Sequence, residues 1–207
     1  MTQSTVQLLA GAEESFRGNG WQVHVARDAA EARSQLLDVM GPQAHVVART
    51  CPAWRTIGAE GHLSAAGRLV VCGPGFDAPS RADLLGADVG VTGATALVLE
   101  TATALIAADD AYGQLVSNLP FTHVVVAYAH TLVETLDEGL GRVRYFADGV
   151  LGRRVPRYVG SISGASRTGD IEMVIVQGMH GPGCLHLLLL DMVVPGWEAL
   201  PPEAFTA

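Results

Sequence analysis

Short apolar runs alternate along this chain with segments of helical character, and this alternation restricts its fold more than any other feature. Three of the runs are Leu69–Cys72, Thr122–Ala127 and Leu185–Leu190. Strands that are apolar on both sides are typical of parallel sheets, because helices cover both faces of such a sheet. The alternation therefore predicts an α/β fold with a mainly parallel sheet flanked by helices.

The same criteria assign most of the chain. We predict helices over 1–18, 28–40, 81–85, 112–117 and 131–143, and strands over 21–26, 44–48, 69–72, 88–91, 94–99, 102–106, 122–127, 158–161, 172–176 and 185–190. Asp28 is expected to cap the second helix. In the helix over 131–143, Leu132, Leu136 and Leu140 share one face, and acidic residues occupy the other.

The length favours one domain, since 207 residues supply one sizeable core and are short for two. We expect a single domain over 1–207, with 1–20 as an N-terminal helical extension and 193–207 as a surface tail. The run from Gly90 to Ala108 approaches the length of a membrane span but has Glu100 near its middle. Two or three short buried strands explain this run better.

Composition excludes several functions. All 13 basic residues are Arg, and the formal net charge is −8. Without Lys, the chain cannot form a Walker P-loop or carry out Schiff-base chemistry. The acidic balance argues against nucleic-acid binding. The N-terminus lacks the basic and apolar regions of a signal peptide, so we expect a cytoplasmic protein.

No metal or cofactor is predicted. The three cysteines form no C-x-x-C pair, which argues against a disulfide framework and against an iron–sulfur or zinc site. His180, His186 and Asp191 do not have a known metal-ligand spacing. The segment Gly73–Ala78 fits the pattern G-x-G-x-x-A, but one Pro within it and another after it disfavour the helix start that binds a pyrophosphate.

The polar, Gly-rich turn Ser163–Thr168 is the strongest candidate for a binding site. It follows a predicted strand, and we expect a short helix after it, an arrangement that holds ligands in open α/β sheets. Backbone N–H groups around Gly164 and Ser166 would face a carboxylate or phosphate, and Arg167 would add a charged contact. Thr168 adds a hydroxyl group or caps the helix.

Three carboxylates and one His are candidates for acid–base chemistry. Asp170 and Glu172 would share a face on a strand but diverge on a helix, and either one could instead pair with Arg167. Glu100 would act as acid, base or nucleophile if it is buried, or accept backbone N–H groups at a strand end. His180 is a general acid or base, or a structural residue of a Gly-rich turn.

Several motifs in the same order resemble the LUD-domain family, in particular its lactate-utilisation protein C branch. The family pattern S-G-P-S-R-T-A-D-I-E is matched by Ser163–Glu172, and G-V-H-G-P by Gly178–Pro182. The upstream patterns G-I-T-G-A and E-T-G-T resemble Gly90–Ala94 and Glu100–Thr103. A further pattern, L-L-P-x-x-H-I-V-V, resembles residues 118–126. The resemblance covers roughly residues 80–192.

This resemblance implies the fold shared by ribose-5-phosphate isomerases, glucosamine-phosphate deaminases and CoA transferases. It also implies a role in oxidising L-lactate to pyruvate together with iron–sulfur partner proteins, in which this chain is an accessory subunit. The leading hypothesis is that a small carboxylate, or an acidic group of a partner, binds at the Ser163–Thr168 turn. Thr92, Gly93, Glu100 and Thr101 would form the opposing wall.

Three positions depart from the family patterns. Ala165 replaces Pro, Gly169 replaces Ala, and Ala102 replaces the Gly of E-T-G-T. If that Gly serves a positive φ or a close ligand approach, Ala102 narrows the site. Two other hypotheses stay open: a free-standing enzyme acting on a phosphosugar or acyl-CoA through Glu100 or Asp170, and an interaction module whose cleft has no ligand.

Overall fold

The computed structural model describes residues 3–64, 69–150, 156–165, 167–169, 175–177 and 180–192. The helices are α1 Gln3–Gly18, α2 Ala29–Met40, α3 Pro52–Ile57, α4 Glu60–Ser64, α5 Arg81–Leu85, α6 Tyr112–Asn118 and α7 Leu136–Val150. The strands are β1 Gln22–Ala26, β2 Val46–Arg49, β3 Leu69–Cys72, β4 Val89–Gly93, β5 Ala96–Val98, β6 Thr103–Ala108, β7 Thr122–Tyr128, β8 Leu132–Val133, β9 Tyr158–Ile162, β10 Arg167–Gly169, β11 Ile175–Gln177 and β12 Cys184–Leu190. A 3₁₀ turn, Ala129–Thr131, follows β7.

Six strands form a central sheet in the order β1-β12-β7-β4-β2-β3, and every neighbouring pair is parallel. Helices α2, α3 and α4 pack on one face, where Trp54 and Ile57 are fully buried against the strands. On the other face lie α1, α6 and a smaller sheet. The predicted α/β fold with a mainly parallel, helix-flanked sheet is therefore confirmed.

The smaller sheet has the order β8-β5-β6-β9 and lies between the central sheet and α7. Its side chains alternate between these two neighbours, as the two-residue period of a strand requires. Leu97 and Ala104 belong to the cluster on the central sheet, whereas Val98 and Leu105 pack with Val143 of α7. Both faces of this sheet are thus buried, which explains its apolar sequence.

The predicted helix cap and the predicted short strands are both present. The Asp28 carboxylate accepts the backbone N–H groups of Ala30 and Glu31 and so caps α2. The apolar run Gly90–Ala108 forms most of β4 and all of β5 and β6, as expected of short buried strands. In the described part of the chain, no helix combines the length and apolarity needed to cross a bilayer.

The prediction of a helix over 131–143 is wrong at its start and in its buried face. Leu132 and Leu140 were expected to share that face, but Leu132 lies in β8 and pairs with β5, while Leu140 is 47% exposed. Helix α7 begins only after Thr135, whose hydroxyl accepts the Glu138 N–H while the Glu138 carboxylate accepts the Thr135 N–H. Its inner face passes through Gly139, which lets α7 approach β5 closely.

The short helix expected after the Ser163 turn is also wrong. Residues 167–169 form β10, which pairs antiparallel with β11, whose Ile175 and Val176 favour a strand. Among the described residues, a strand and not a helix therefore follows the turn, so these residues offer no helix N-terminus for an anion. Helices α3 and α4 lie within residues 50–64, where no helix or strand is predicted.

Gly90 allows α6 to pack directly on the central sheet. A Cβ added at Gly90 would lie 2.0 Å from the carbonyl oxygen of Val116, which is a backbone atom that cannot rotate away. The same Cβ would lie 3.0 Å from the ring of Pro120. Gly90 is therefore required by the distance between strand and helix.

We predict that Gly90→Ala destabilises the fold by about 3 kcal/mol, because the helix must move to admit the methyl group. Gly61→Ala is the matched control, since a Cβ there meets nothing within 4 Å and the residue lies in a helix. The control should be neutral or stabilising by up to about 1 kcal/mol. Urea unfolding followed by circular dichroism measures both, and equal stabilities would contradict the packing argument.

Candidate functional site

A cleft of about 470 Å³ lies at the carboxyl edge of the central sheet, where β2 and β4 are neighbours. After β2 the chain crosses to β3 on one side, and after β4 it crosses to β7 on the other side. Because these connections diverge, they leave a gap above the ends of β2 and β4, which is where open parallel sheets bind ligands. The volume is in the range of small-molecule sites.

Four segments enclose the cleft. One wall consists of residues 49–53 together with Arg55, from the end of β2 and from α3. The opposite wall consists of residues 93–95 after β4 and 107–110 at the end of β6. The end of β7 and the 3₁₀ turn after it complete the lining. The site thus joins the central sheet to the smaller one.

Cys51 and Gly93 bring the two walls together. The Cys51 sulfur accepts the backbone N–H of Trp54 at 3.3 Å and caps α3, whose first residue is Pro52. Burial raises the pKa of the Cys51 thiol, although the N–H of Trp54 and the nearby arginines act in the other direction. A Cβ at Gly93 would lie 2.9 Å from the Cys51 sulfur, so only Gly permits this approach.

An ion pair between Arg49 and Asp110 fixes one side of the cleft. Arg49 Nε and Nη2 donate to the two Asp110 oxygens at 3.2 and 2.9 Å, and the side chains are only 15% and 24% exposed. Asp110 Oδ1 also accepts the N–H groups of Tyr112 and Gly113 at the start of α6. Burial acts to raise the pKa of Asp110, but the Arg49 guanidinium and these N–H groups outweigh it and lower the pKa.

Two charged residues of the cleft have no charged partner in the described part of the chain. Arg55 makes one side-chain hydrogen bond there, from Nε to the hydroxyl of Thr50 at 3.1 Å. The Asp109 carboxylate makes no hydrogen bond or ion pair with any described residue. A cation and a carboxylate that line one cavity are available to a ligand with complementary groups.

Tyr128 and His130 form an aromatic border of the cleft. Their rings stack with centroids 5.1 Å apart, and the Tyr128 hydroxyl lies 2.6 Å from the hydroxyl of Thr56. Burial, with the charge of Arg142, lowers the pKa of His130 to about 4. His130 is therefore a neutral imidazole at pH 7 and adds no charge to the site.

The structure places the predicted residues Thr92 and Gly93 differently, although they are adjacent. Gly93 lines the cleft, whereas Thr92 is fully buried behind it. The Thr92 hydroxyl lies 2.9 Å from Nε2 of His123, whose pKa burial lowers to about 3. Thr92 therefore serves the packing of a neutral buried imidazole and does not reach the cavity.

Other predicted residues gather at the far end of β6. The Thr103 hydroxyl bonds those of Thr101 and Ser163 at 2.7 and 2.6 Å, and the Asn19 amide donates to the Ser163 carbonyl. Gly164, with φ +144°, lies against Asn19. Along β6, Thr103 is about 13 Å from the cleft wall at Ala107, since a strand rises about 3.3 Å per residue. These residues and Gly93 thus do not form one site.

Glu100 lies in the tight turn between β5 and β6 and is exposed, so the first of its two alternatives, a buried carboxylate, does not hold. Its carboxylate accepts the N–H of Leu136 at 3.0 Å, at the start of α7. This is the arrangement of a carboxylate at a strand end that accepts backbone N–H groups. Ala102, two residues later, has φ +48° and is buried, so the family's Gly at this position coincides with a left-handed backbone.

The remaining predicted residues are only partly covered. Ser166, Asp170 and Glu172 lie outside the described residues, as do the side chains of Arg167 and Thr168. His180 is exposed and lies shortly before β12. Their proximity to one another therefore stays a prediction.

Sequence reasoning missed Arg49, Arg55, Asp109 and Asp110. Each follows or ends a predicted strand, over 44–48 or 102–106, and the rule that ligands bind at the carboxyl ends of strands points to such positions. The strand over 158–161, which the same rule selects, belongs to the smaller sheet. Knowledge of sheet membership would have favoured the positions after β2, whereas Asp109 and Asp110 follow β6 of the smaller sheet and line the cleft only because the two sheets pack together.

We predict that Asp110→Asn destabilises the protein by about 1–3 kcal/mol at pH 7. The reason is that Arg49 and the N–H groups of Tyr112 and Gly113 lose their charged acceptor. The pKa of Asp110 is lower in the folded state than in the unfolded state. The carboxylate therefore adds its full share to the free energy of unfolding at pH values above its unfolded-state pKa, and this share is lost as the pH falls through its folded-state pKa. The difference from wild type should therefore vanish in strong acid.

Asp109→Asn is the control for this experiment, since the Asp109 side chain has no partner among the described residues. It should change the free energy of unfolding by less than about 0.5 kcal/mol. Chemical denaturation at several pH values gives both quantities. Equal stability of the two variants at pH 7 would refute the structural role of Asp110.

Comparison with known proteins identifies relatives of the chain. Lactate utilization protein C of Halalkalibacterium halodurans is 33% identical over 96 residues, which are 46% of this chain and 41% of that protein. Lactate utilization protein B of Bacillus subtilis is 26% identical over 111 residues, or 54% and 22% of the two chains. The chain thus matches less than half the length of these curated relatives.

A crystal structure of a DUF162 family protein from Deinococcus radiodurans has a similar fold. It superposes with a TM-score of 0.63 over 92% of this chain and 100% of that one, at 22% identity. The model of the LUD domain matches residues 9–190, which include all the described strands and the cleft. The chain therefore belongs to the LUD domain family.

Proposed function

We propose that this protein acts in lactate utilisation, as a cytoplasmic accessory subunit in the oxidation of L-lactate to pyruvate with iron–sulfur partner proteins. Its part is to bind a small carboxylate in the cleft between β2 and β4. The relatives support the pathway, because proteins named lactate utilization protein C and protein B both match this chain. The cleft supports the ligand class.

The observation that carries this proposal is the guanidinium of Arg55, which lines the cleft and has no charged partner among the described residues. Among the described residues Arg55 meets only the neutral Thr50 hydroxyl, whereas its neighbour Arg49 is held by both oxygens of Asp110. A guanidinium binds a carboxylate through two parallel N–H groups, and the exposed side chain of Arg55 leaves these groups accessible to a ligand. Arg55 is thus the group that receives the ligand's carboxylate.

Asp109 gives the cleft a second polar contact of opposite chemistry. A carboxylate accepts hydrogen bonds and cannot donate them, so it favours a ligand with a hydroxyl group over one with a carbonyl at the same position. A 2-hydroxy acid has its carboxylate and its hydroxyl on adjacent carbons, so one end suits Arg55 and the other Asp109. L-Lactate has this chemistry, and pyruvate lacks the donor.

The cleft is larger than a three-carbon acid requires. Its volume of about 470 Å³ leaves room beside such a ligand for a second reactant or for a group of a partner protein. Cys51 and the neutral His130 border this remaining space. An accessory subunit that presents its ligand to a redox partner needs such an open side.

We predict that L-lactate binds the wild-type protein in a calorimetric titration, and that Arg55→Gln weakens binding about tenfold or more by removing a charged hydrogen bond. Arg81→Gln removes the same charge from an exposed position in α5, outside the cleft, and should leave the affinity unchanged. Pyruvate, ribose 5-phosphate and CoA serve as competing ligands.

A second variant separates the cleft from the Ser163–Thr168 turn, where the sequence also indicates an anion site. If Arg167→Gln abolishes binding and Arg55→Gln does not, the ligand belongs to the turn and the cleft assignment is wrong. Tight binding of ribose 5-phosphate or CoA, without binding of lactate, would favour a free-standing isomerase or transferase.

The role in lactate utilisation has its own test in the host cell. Deletion of the gene should abolish or slow growth on L-lactate as sole carbon source and leave growth on glucose unchanged. Complementation with wild type should restore growth, and complementation with Arg55→Gln should not. Normal growth of the deletion strain on lactate, without a second gene of this family, would contradict the role.

A further inference from the structure

Four polar side chains form a hydrogen-bonded chain at the amino ends of β1 and β12, on the sheet edge opposite the cleft. The Gln22 amide donates to the Cys184 sulfur at 3.2 Å, and this sulfur lies 3.3 Å from Nε2 of His186. His186 Nδ1 in turn lies 3.0 Å from Nε2 of His24. The two imidazole rings are within 17° of parallel.

Strand register creates this arrangement. β1 and β12 pair in parallel with Gln22 opposite His186, so His24 lies two residues further along the same face. Cys184 is two residues before His186 and shares its face for the same reason. Two residues from each strand thus alternate along one line, and the contacts are not accidents of flexible side chains.

The chain of contacts defines a path for a proton. When the Cys184 thiol donates to Nε2 of His186, the His186 Nδ1–H donates to Nε2 of His24. Loss of the thiol proton to His186 leaves the sulfur with two N–H donors, from Gln22 and His186. The half-buried His24 accepts the Nδ1–H of His186 and so keeps Nε2 of His186 free to take the thiol proton.

Cys184 differs in this respect from the other two cysteines. Cys72 is fully buried, and burial, together with Asp110, raises the pKa of its thiol to about 12. The Cys51 sulfur caps α3, and burial raises its pKa as well. Cys184 is partly exposed and has an imidazole nitrogen beside its sulfur. It alone combines access with a base.

We propose that Cys184 is a modification site at which a small disulfide forms a reversible mixed disulfide. His186 takes the thiol proton as the sulfur attacks one sulfur of the reagent. The reagent's S–S bond breaks, a new S–S bond joins Cys184 to one half of it, and the leaving sulfur takes up the proton from His186. His24 is a positioning residue that holds the His186 ring and its tautomer.

Burial opposes the proton transfer from Cys184 to His186, so the hydrogen-bonded geometry carries the proposal. Burial raises the pKa of Cys184, although the Gln22 N–H acts against it, and burial lowers the pKa of His186 to about 4. Thiol and imidazole are therefore both neutral at pH 7, and no thiolate is present in advance. Burial lowers the pKa of His24, and the charge of Arg17 lowers it further, so the His24 imidazole also stays neutral.

The test is modification of the folded, full-length protein by oxidised glutathione at pH 7, quenched with acid and mapped by mass spectrometry. Cys184 should react at least about tenfold faster than Cys51 or Cys72. His186→Phe should slow the reaction about a hundredfold, in the range of general-base catalysis, and His24→Phe about tenfold. His62→Phe, at an exposed position of α4, should leave the rate unchanged.

Two results would overturn the proposal: a Cys184 rate no faster than that of the other cysteines, or an unchanged rate in both His186→Phe and His24→Phe. Circular dichroism checks that each variant is folded. If His186→Phe does not fold, Gln22→Leu replaces it, because Gln22 is exposed and contacts the sulfur directly. Loss of this N–H donor should slow the reaction several-fold. Unchanged rates in both Gln22→Leu and His24→Phe would then contradict the proposal.

Discussion

Tight turns cannot connect the strands of an all-parallel sheet, because each strand must begin at the edge where the previous one began. Every connection between the six central strands therefore crosses a face of the sheet, and these crossings supply the helices and the smaller sheet. The crossings after β2 and β4 lead to opposite sides, which opens the cleft. Topology thus fixes where the cleft lies, and the side chains after β2, β4 and β6 determine its chemistry.

The central strands and most helices could be predicted because their signals are local. Asp28 caps α2, and the apolar run after Gly90 forms strands, as its composition indicates. The error at Leu132 has a different cause, since its strand partner Leu97 is distant in sequence and no local pattern reveals it. Arg55 and Asp109 escaped prediction for a similar reason, because the sequence does not show that the end of β6 in the smaller sheet meets the end of β2 in the central sheet.

Asp109 and Asp110 show why residue identity alone does not assign a function. They are adjacent and chemically identical, yet Asp110 is bound to Arg49 and to the start of α6, while Asp109 has no partner in the described residues. The same contrast separates Arg49 from Arg55. In each pair one residue stabilises the wall of the cleft, and the other has no charged partner in the part of the chain that the structure describes.

The smaller sheet is built from two different crossings, with β5 and β6 between β4 and β7, and β8 and β9 between β7 and β12. The pairings of β5 with β8 and of β6 with β9 therefore close long loops of the chain, and each closure costs conformational entropy. This cost is smaller once β4, β7 and β12 are already paired, because the loops then begin and end at fixed positions. Formation of this sheet is expected to follow that of the central sheet. Strand β6 ends in the cleft wall at Ala107 and Ala108, so the cleft is completed late in folding. A local opening of the smaller sheet would remove this wall while the central sheet stays intact.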